Sequence, residues 1–82
     1  MDSYEQILKQ MLKMLQEFAP QGAELNESTQ FVADLDFDSV QVMEFLPEVE
    51  DGFDIIIPLN RVEDVSSVGD LAKLVSQIKE ED

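Results

Sequence analysis

The sequence predicts an all-α fold: a small bundle of three main helices plus one short helix, with a long first loop. Three observations carry that prediction. Apolar residues recur at three- and four-residue spacing in three separate stretches. Each stretch opens on a capping-box pair: Ser3 with Gln6, Asp38 with Gln41, and Ser67 with Asp70. Only Ile55-Ile56-Ile57 has the β-branched composition of a strand, and no second candidate exists to pair with it. The 82 residues have room for one domain, read as residues 1–82.

The first helix starts at Ser3 and places Tyr4, Ile7, Leu8, Met11, Leu15 and Phe18 on one face, with Pro20 and Gly22 ending it. The connection from Pro20 to Asp38 is long for so small a domain. Its Leu25, Phe31, Val32 and Leu35 should pack partly on the core. Asp38 caps the second helix, whose inward stripe is Val42, Phe45, Leu46, Val49 and Phe53, with Gly52 as its stop. Pro47 lacks the N–H that would bond the Met43 carbonyl, so a kink or two short helices are expected there. Ile55-Ile56-Ile57 before Pro58 reads as an extended buried loop, and Arg61 to Asp64 as one helical turn. The last helix presents Val68, Leu71, Ala72, Leu74, Val75 and Ile78, then a charged, frayed end at Glu80-Glu81-Asp82.

Composition removes several function classes. Five Lys and Arg against 19 Asp and Glu give a net charge of −14. Nothing here neutralises a run of phosphates, so nucleic acid is not a partner, and anionic membrane surfaces repel the chain. Membrane insertion is not expected either, since the densest apolar run is far too short to span a bilayer. With no Cys there is no disulfide, thiol nucleophile or cysteine-held zinc, and with no His there is no Ser-His-Asp arrangement. No catalytic residues are assigned, and the chain is read as no enzyme. The start Met1-Asp2-Ser3-Tyr4-Glu5 shows no secretion signal, so the expected location is the cytoplasm.

Two places can carry chemistry. Asp34-x-Asp36-x-Asp38 has the alternation of an EF-hand calcium loop. The sixth position, which should be Gly, is Ser39, and the twelfth, which should be Glu, is Phe45. No metal ligand is therefore assigned. The second place is Ser39 itself, at the start of a helix whose free N–H groups favour an anion.

Around Ser39 the sequence resembles the acyl carrier proteins, over nearly the whole chain. Asp38-Ser39-Val40 looks like the family's Asp-Ser-Leu motif, and Phe31-Val32-Ala33-Asp34-Leu35 like the segment before it. Glu44, Glu50, Asp51 and Phe53-Asp54 look like its acidic second helix. Ile57-Pro58 looks like its following loop, and Val65 to Leu71 like the approach to its last helix. The resemblance implies that a phosphopantetheinyl transferase moves 4′-phosphopantetheine from coenzyme A onto Ser39. The arm's thiol then holds acyl groups as thioesters for enzymes of fatty-acid, other lipid or polyketide biosynthesis. A chain without Cys has to import such a sulfur. Asp36 stands where the family usually has Gly, and Val40 where it usually has Leu.

No Lys or Arg occurs between Lys13 and Arg61. Such a stretch serves either as a solvated face or as a docking surface for basic patches on acyl-transfer and acyl-processing enzymes. The resemblance assigns docking to Asp38, Glu44, Glu50 and Asp51. It also implies a core that admits an acyl chain, with Met43, Leu46, Ile57 and Val62 as candidate lining. Met43 is included because a thioether repacks easily. The carrier is expected to be a monomer. Three other readings stand beside it: a peptidyl or aminoacyl carrier, a calcium-binding module and an unmodified acidic adaptor.

Overall fold

The computed structural model describes residues 3–19 and 22–81. Four helices follow in order: α1 (Tyr4–Leu15), α2 (Ser39–Phe53), α3 (Leu59–Val62) and α4 (Val68–Glu81). The architecture is the expected bundle of three main helices and one short one. Among the described residues the only β feature is an isolated antiparallel bridge, Gln30 to Ser67.

Each main helix starts where its capping box stands. The Ser3 hydroxyl accepts from the Gln6 N–H, and the Asp38 carboxylate from the Gln41 N–H. The Asp70 N–H donates to Ser67 Oγ at 3.1 Å, while the Ser67 N–H donates back to Asp70 Oδ2 at 3.2 Å. The Asp70 carboxylate also accepts from the backbone and hydroxyl of Ser66, and these bonds hold its pKa below the usual carboxylate range.

α1 buries Ile7, Met11 and Leu15 and packs chiefly on α4, which buries Val68, Leu71, Ala72, Leu74, Val75 and Ile78. α2 closes the core with Phe45, Leu46, Val49 and Phe53. The Phe45 ring meets Phe18 edge-on at 5.3 Å and Phe31 at 6.0 Å. Burying one such ring contributes roughly 1.5–3 kcal/mol.

The long first loop is an ordered part of the fold. Phe31, Leu35 and Phe37 are buried, and Leu25 is half-buried, whereas Val32 points outward. Buried Thr29 accepts from the Asn26 N–H at 2.9 Å and donates to the Glu24 carbonyl at 3.3 Å. The Phe31 N–H donates to the Ser66 carbonyl and the Val68 N–H to the Thr29 carbonyl, which staples the loop to the start of α4. Gly69 lets the two run this close, because a Cβ there would sit 2.9 Å from the Glu27 carbonyl oxygen. The Tyr4 hydroxyl donates to Glu27 at 2.6 Å, and that bond pushes its pKa up to about 12.

Several expectations are corrected. α2 is one uninterrupted helix across Pro47, not two short ones. Met43 and Pro47 both lie on its exposed side, so the carbonyl that Pro47 leaves without a donor faces solvent, where it costs least. Gly52 lies inside α2, and the stop is Asp54, left-handed at φ 55°. The Asp54 and Ile55 N–H groups both return to the Glu50 carbonyl, as in a Schellman-type end. Met43, expected in the core, is 60% exposed. Ile55 and Ile57 are buried, but Ile56 faces outward. α3 begins at Leu59 rather than Arg61, and α4 stays helical through Glu80 and Glu81. α1 ends at Leu15 with Gln16 as its C-cap, so the helix stops before Phe18 and before the expected stop at Pro20 and Gly22. Pro20 itself and the expected fraying of Asp82 lie outside the described residues.

Candidate functional site

The site is built around the start of α2. Asp36 takes a left-handed backbone, φ 56°, directly after the 31–35 turn. Its N–H donates to the Val32 carbonyl, and the Phe37 N–H donates to the Phe31 carbonyl. This reversal buries Phe37 and sends the chain outward at Asp38. The conformation is one that Gly adopts freely and Asp tolerates at some cost.

Asp38 is committed to capping. Its Oδ1 accepts from the Gln41 N–H at 2.9 Å, and its own N–H donates to Gln41 Oε1 at 3.3 Å. Ser39 is the next residue. It is exposed, and its hydroxyl makes no hydrogen bond among the described residues. The N–H groups of Ser39 and Val40 have no partner there either, and the first turn of α2 carries no acidic side chain. An anion attached to Ser39 meets two free donors and the positive end of the helix dipole. A phosphodiester on a flexible arm fits that arrangement.

An apolar cleft of about 340 Å³ opens beside this helix. The first loop contributes Phe31, Val32 and Ala33 to its wall, and α2 contributes Val42, Phe45 and Leu46. Val62, Val65 and Leu71 close the far side, with Gln30 and Ser66 also on the wall. Val42 is three residues from Ser39 and shares its side of the helix, so the cleft begins within one turn of the free hydroxyl.

Of the four residues expected to line a cavity, Leu46 and Val62 are on this wall. Met43 is on the outer surface, and Ile57 is buried in the core away from the cleft. Sequence reasoning missed the contributions of Phe31, Val32 and Ala33. Their loop shows no periodicity, and only their adjacency to the Ser39 motif hinted at a role.

The acidic residues divide. Glu44 and Asp51 are exposed, with no hydrogen-bond partner among the described residues, and Glu48 stands between them on the same face. Glu50 is half-buried, and its Oε2 accepts from the Ile57 N–H at 2.8 Å, holding the loop after α2 against the helix. The aspartates of the EF-hand-like stretch do three separate jobs. Asp34 accepts from the Gln30 N–H at 2.7 Å, Asp36 makes the reversal and Asp38 caps α2. No cluster of three or more carboxylates is set to hold a metal among the described residues.

Comparison with known proteins follows the same outline. The family described as "Phosphopantetheine attachment site" matches residues 6–75. A protein named acyl carrier protein from Prochlorococcus marinus is 31% identical over 78 residues, covering 94% of this chain and 98% of that one. One from Renibacterium salmoninarum is 33% identical over 79 residues, covering 93% and 95%. Among solved structures, a putative acyl carrier protein from Mycobacterium tuberculosis superposes with a TM-score of 0.78 at 25% identity, covering 87% of this chain and 96% of that one. A Toxoplasma-specific mitochondrial acyl carrier protein superposes with a TM-score of 0.83 at 20% identity, covering 94% and 91%, a likeness of fold alone.

Proposed function

This chain belongs to the acyl carrier protein family, and on that premise we propose that Ser39 is the residue that receives its 4′-phosphopantetheine arm. The protein is a carrier and not a catalyst. When bound, the arm supplies the thiol that holds acyl groups as thioesters. The observation that supports Ser39 is its exposed, unbonded hydroxyl beside two free N–H groups. In loading, the Ser39 oxygen forms a bond to the β-phosphorus of coenzyme A. The bond from that phosphorus to adenosine 3′,5′-bisphosphate breaks, and the hydroxyl proton passes to a base on the transferase.

Residues 1–82 act as one such carrier domain in this reading. The cleft beside Ser39 shelters the start of an acyl chain, with Leu46 and Val62 on its wall. Acyl cargo is favoured over an aminoacyl group, because a wall so dominated by apolar side chains has little to offer an ammonium. Docking to the transferase and to acyl-processing enzymes runs through Glu44 and Asp51, with Asp38 at the edge. Glu50 is left mainly to its bond with Ile57. The carrier works as a monomer in the cytoplasm, supplying fatty-acid or polyketide assembly. No helix among the described residues is long and apolar enough to cross a membrane.

The test is loading. Unmodified protein is incubated with coenzyme A, magnesium and a broad-specificity phosphopantetheinyl transferase, and the modified peptide is mapped. Modification should fall on Ser39 and vanish in Ser39→Ala with the fold intact. Modification at Ser28, Ser66 or Ser67, or none where a control carrier is loaded, overturns the assignment.

A further inference from the structure

The cleft has one lightly held wall. Segment 58–65, with α3 at its centre, gives Val62 and Val65 to that wall. Yet none of the four residues of α3 is buried, and no side chain caps it. The flanks of the segment are fixed. On one side the Ile57 N–H is held by Glu50. On the other, the Ser66 carbonyl accepts from Phe31, and the Ser66 hydroxyl donates to Asp70 at 3.0 Å.

Between these anchors the backbone bonds are local, from Arg61 to Pro58 and from Val65 to Val62. Among the described residues, the hydrogen bonds that reach from 58–65 to another element are all made by the Arg61 side chain. Its Nη1 donates to both carboxylate oxygens of Glu81, at 3.1 and 3.2 Å, and its Nη2 donates to Gln77 Oε1 at 3.2 Å. Gln77 and Glu81 are four residues apart on α4, so the guanidinium fork grips one face of its last turn.

We propose that Arg61 is a positioning residue whose grip on Glu81 and Gln77 seats segment 58–65 as the movable wall of the cleft. It thereby sets how readily an apolar chain passes in and out. The proposal rests on the reading that the cleft receives such a chain. The pair is a surface one, with Arg61 30% and Glu81 61% exposed, so it is weak and screened by salt. Val62 and Val65 pack on the core only as half-buried side chains. The Arg61 bonds end on side chains at the exposed face of α4, so the segment swings without unpacking the buried α1–α4 contact.

The experiment uses the unmodified full chain, so its outcome is separate from whether Ser39 is loaded. Amide hydrogen exchange is followed at residues 60–65 and, as an internal control, at Ile7–Leu15. Uptake of a neutral naphthylamine dye by the cleft is followed by stopped flow. Arg61→Gln and Glu81→Gln should each speed exchange at 60–65 by about two- to fivefold, the range of an exposed pair. Both should speed dye entry, with the control amides unchanged. High salt should speed exchange in the parent and not in Arg61→Gln. The swap Arg61→Glu with Glu81→Arg should restore the parent rates. The proposal is overturned by parent-like exchange in Arg61→Gln, by acceleration spread equally over α1, by failure of the swap, or by faster exchange with unchanged dye entry.

Discussion

At Asp36 a single backbone angle decides how the attachment serine is presented. The reversal between the 31–35 turn and α2 requires a positive φ, here 56°. An L-residue pays about 1–2 kcal/mol for that conformation, partly relieved for Asp, and Gly pays none of the steric cost. Asp36→Gly should therefore keep the loop and stabilise the protein by about 0.5–1 kcal/mol, read as a higher urea midpoint at unchanged slope. A loss of stability would mean that the Asp36 side chain contributes something the hydrogen bonds do not reveal. The sequence held a clue, since Asp36 stands where the resembled family has glycine. Only the structure explains it, because side-chain pattern carries no direct record of φ.

On the scale of the helix, α2 combines features that work against its own stability. Its first turn has no acidic side chain and its last turn no basic one, while Glu50, Asp51 and Asp54 crowd the negative end of the dipole. Pro47 removes one more bond. Pro47→Ala should return the N–H to the Met43 carbonyl and raise stability by about 1–3 kcal/mol in chemical denaturation. No gain would show that this carbonyl is already satisfied. The three capping boxes and the three apolar stripes were legible in the sequence because both are local codes of residue type and spacing. Continuity through Pro47 was not, because the cost of a missing donor depends on whether that side of the helix meets solvent. Nor was the exposure of Met43, whose hydrophobicity pointed inward while its position on the helix pointed out. The loop wall of the cleft was hidden for a related reason: the turn that carries Phe31, Val32 and Ala33 is tied down by the bond from the Phe31 N–H to the carbonyl of Ser66, 35 residues beyond Phe31 in the chain.

Taken as a whole, the molecule is an anion of net charge −14, and no Lys or Arg falls between Lys13 and Arg61, the interval that contains α2. Single exposed ion pairs give only about 0.2–1 kcal/mol each, so docking needs several at once, and screening acts over roughly 8 Å at physiological ionic strength. The kcat/KM for loading by a transferase should fall steeply with added salt. Glu44→Lys or Asp51→Lys should reduce it more than Glu5→Lys or Glu80→Lys, which change the net charge equally but elsewhere. Equal effects from all four, or none from salt, would leave the acidic helix a solvated face. Glu50→Lys is a poorer probe, since it also breaks the bond to Ile57.

The bridge between Gln30 and Ser67 has a consequence for chain length. It makes the stretch from residue 30 to Ser39 a spacer of fixed length, measured from α4. Two extra residues after exposed Gly22 should be absorbed, leaving the loading rate within about twofold, because surface loops tolerate insertion. The same two residues after Val32 should displace the reversal at Asp36 and abolish loading while the α1–α4 pairing survives. Comparing the two insertion variants by transferase assay and circular dichroism separates a loop that merely connects from one that sets the register of the site.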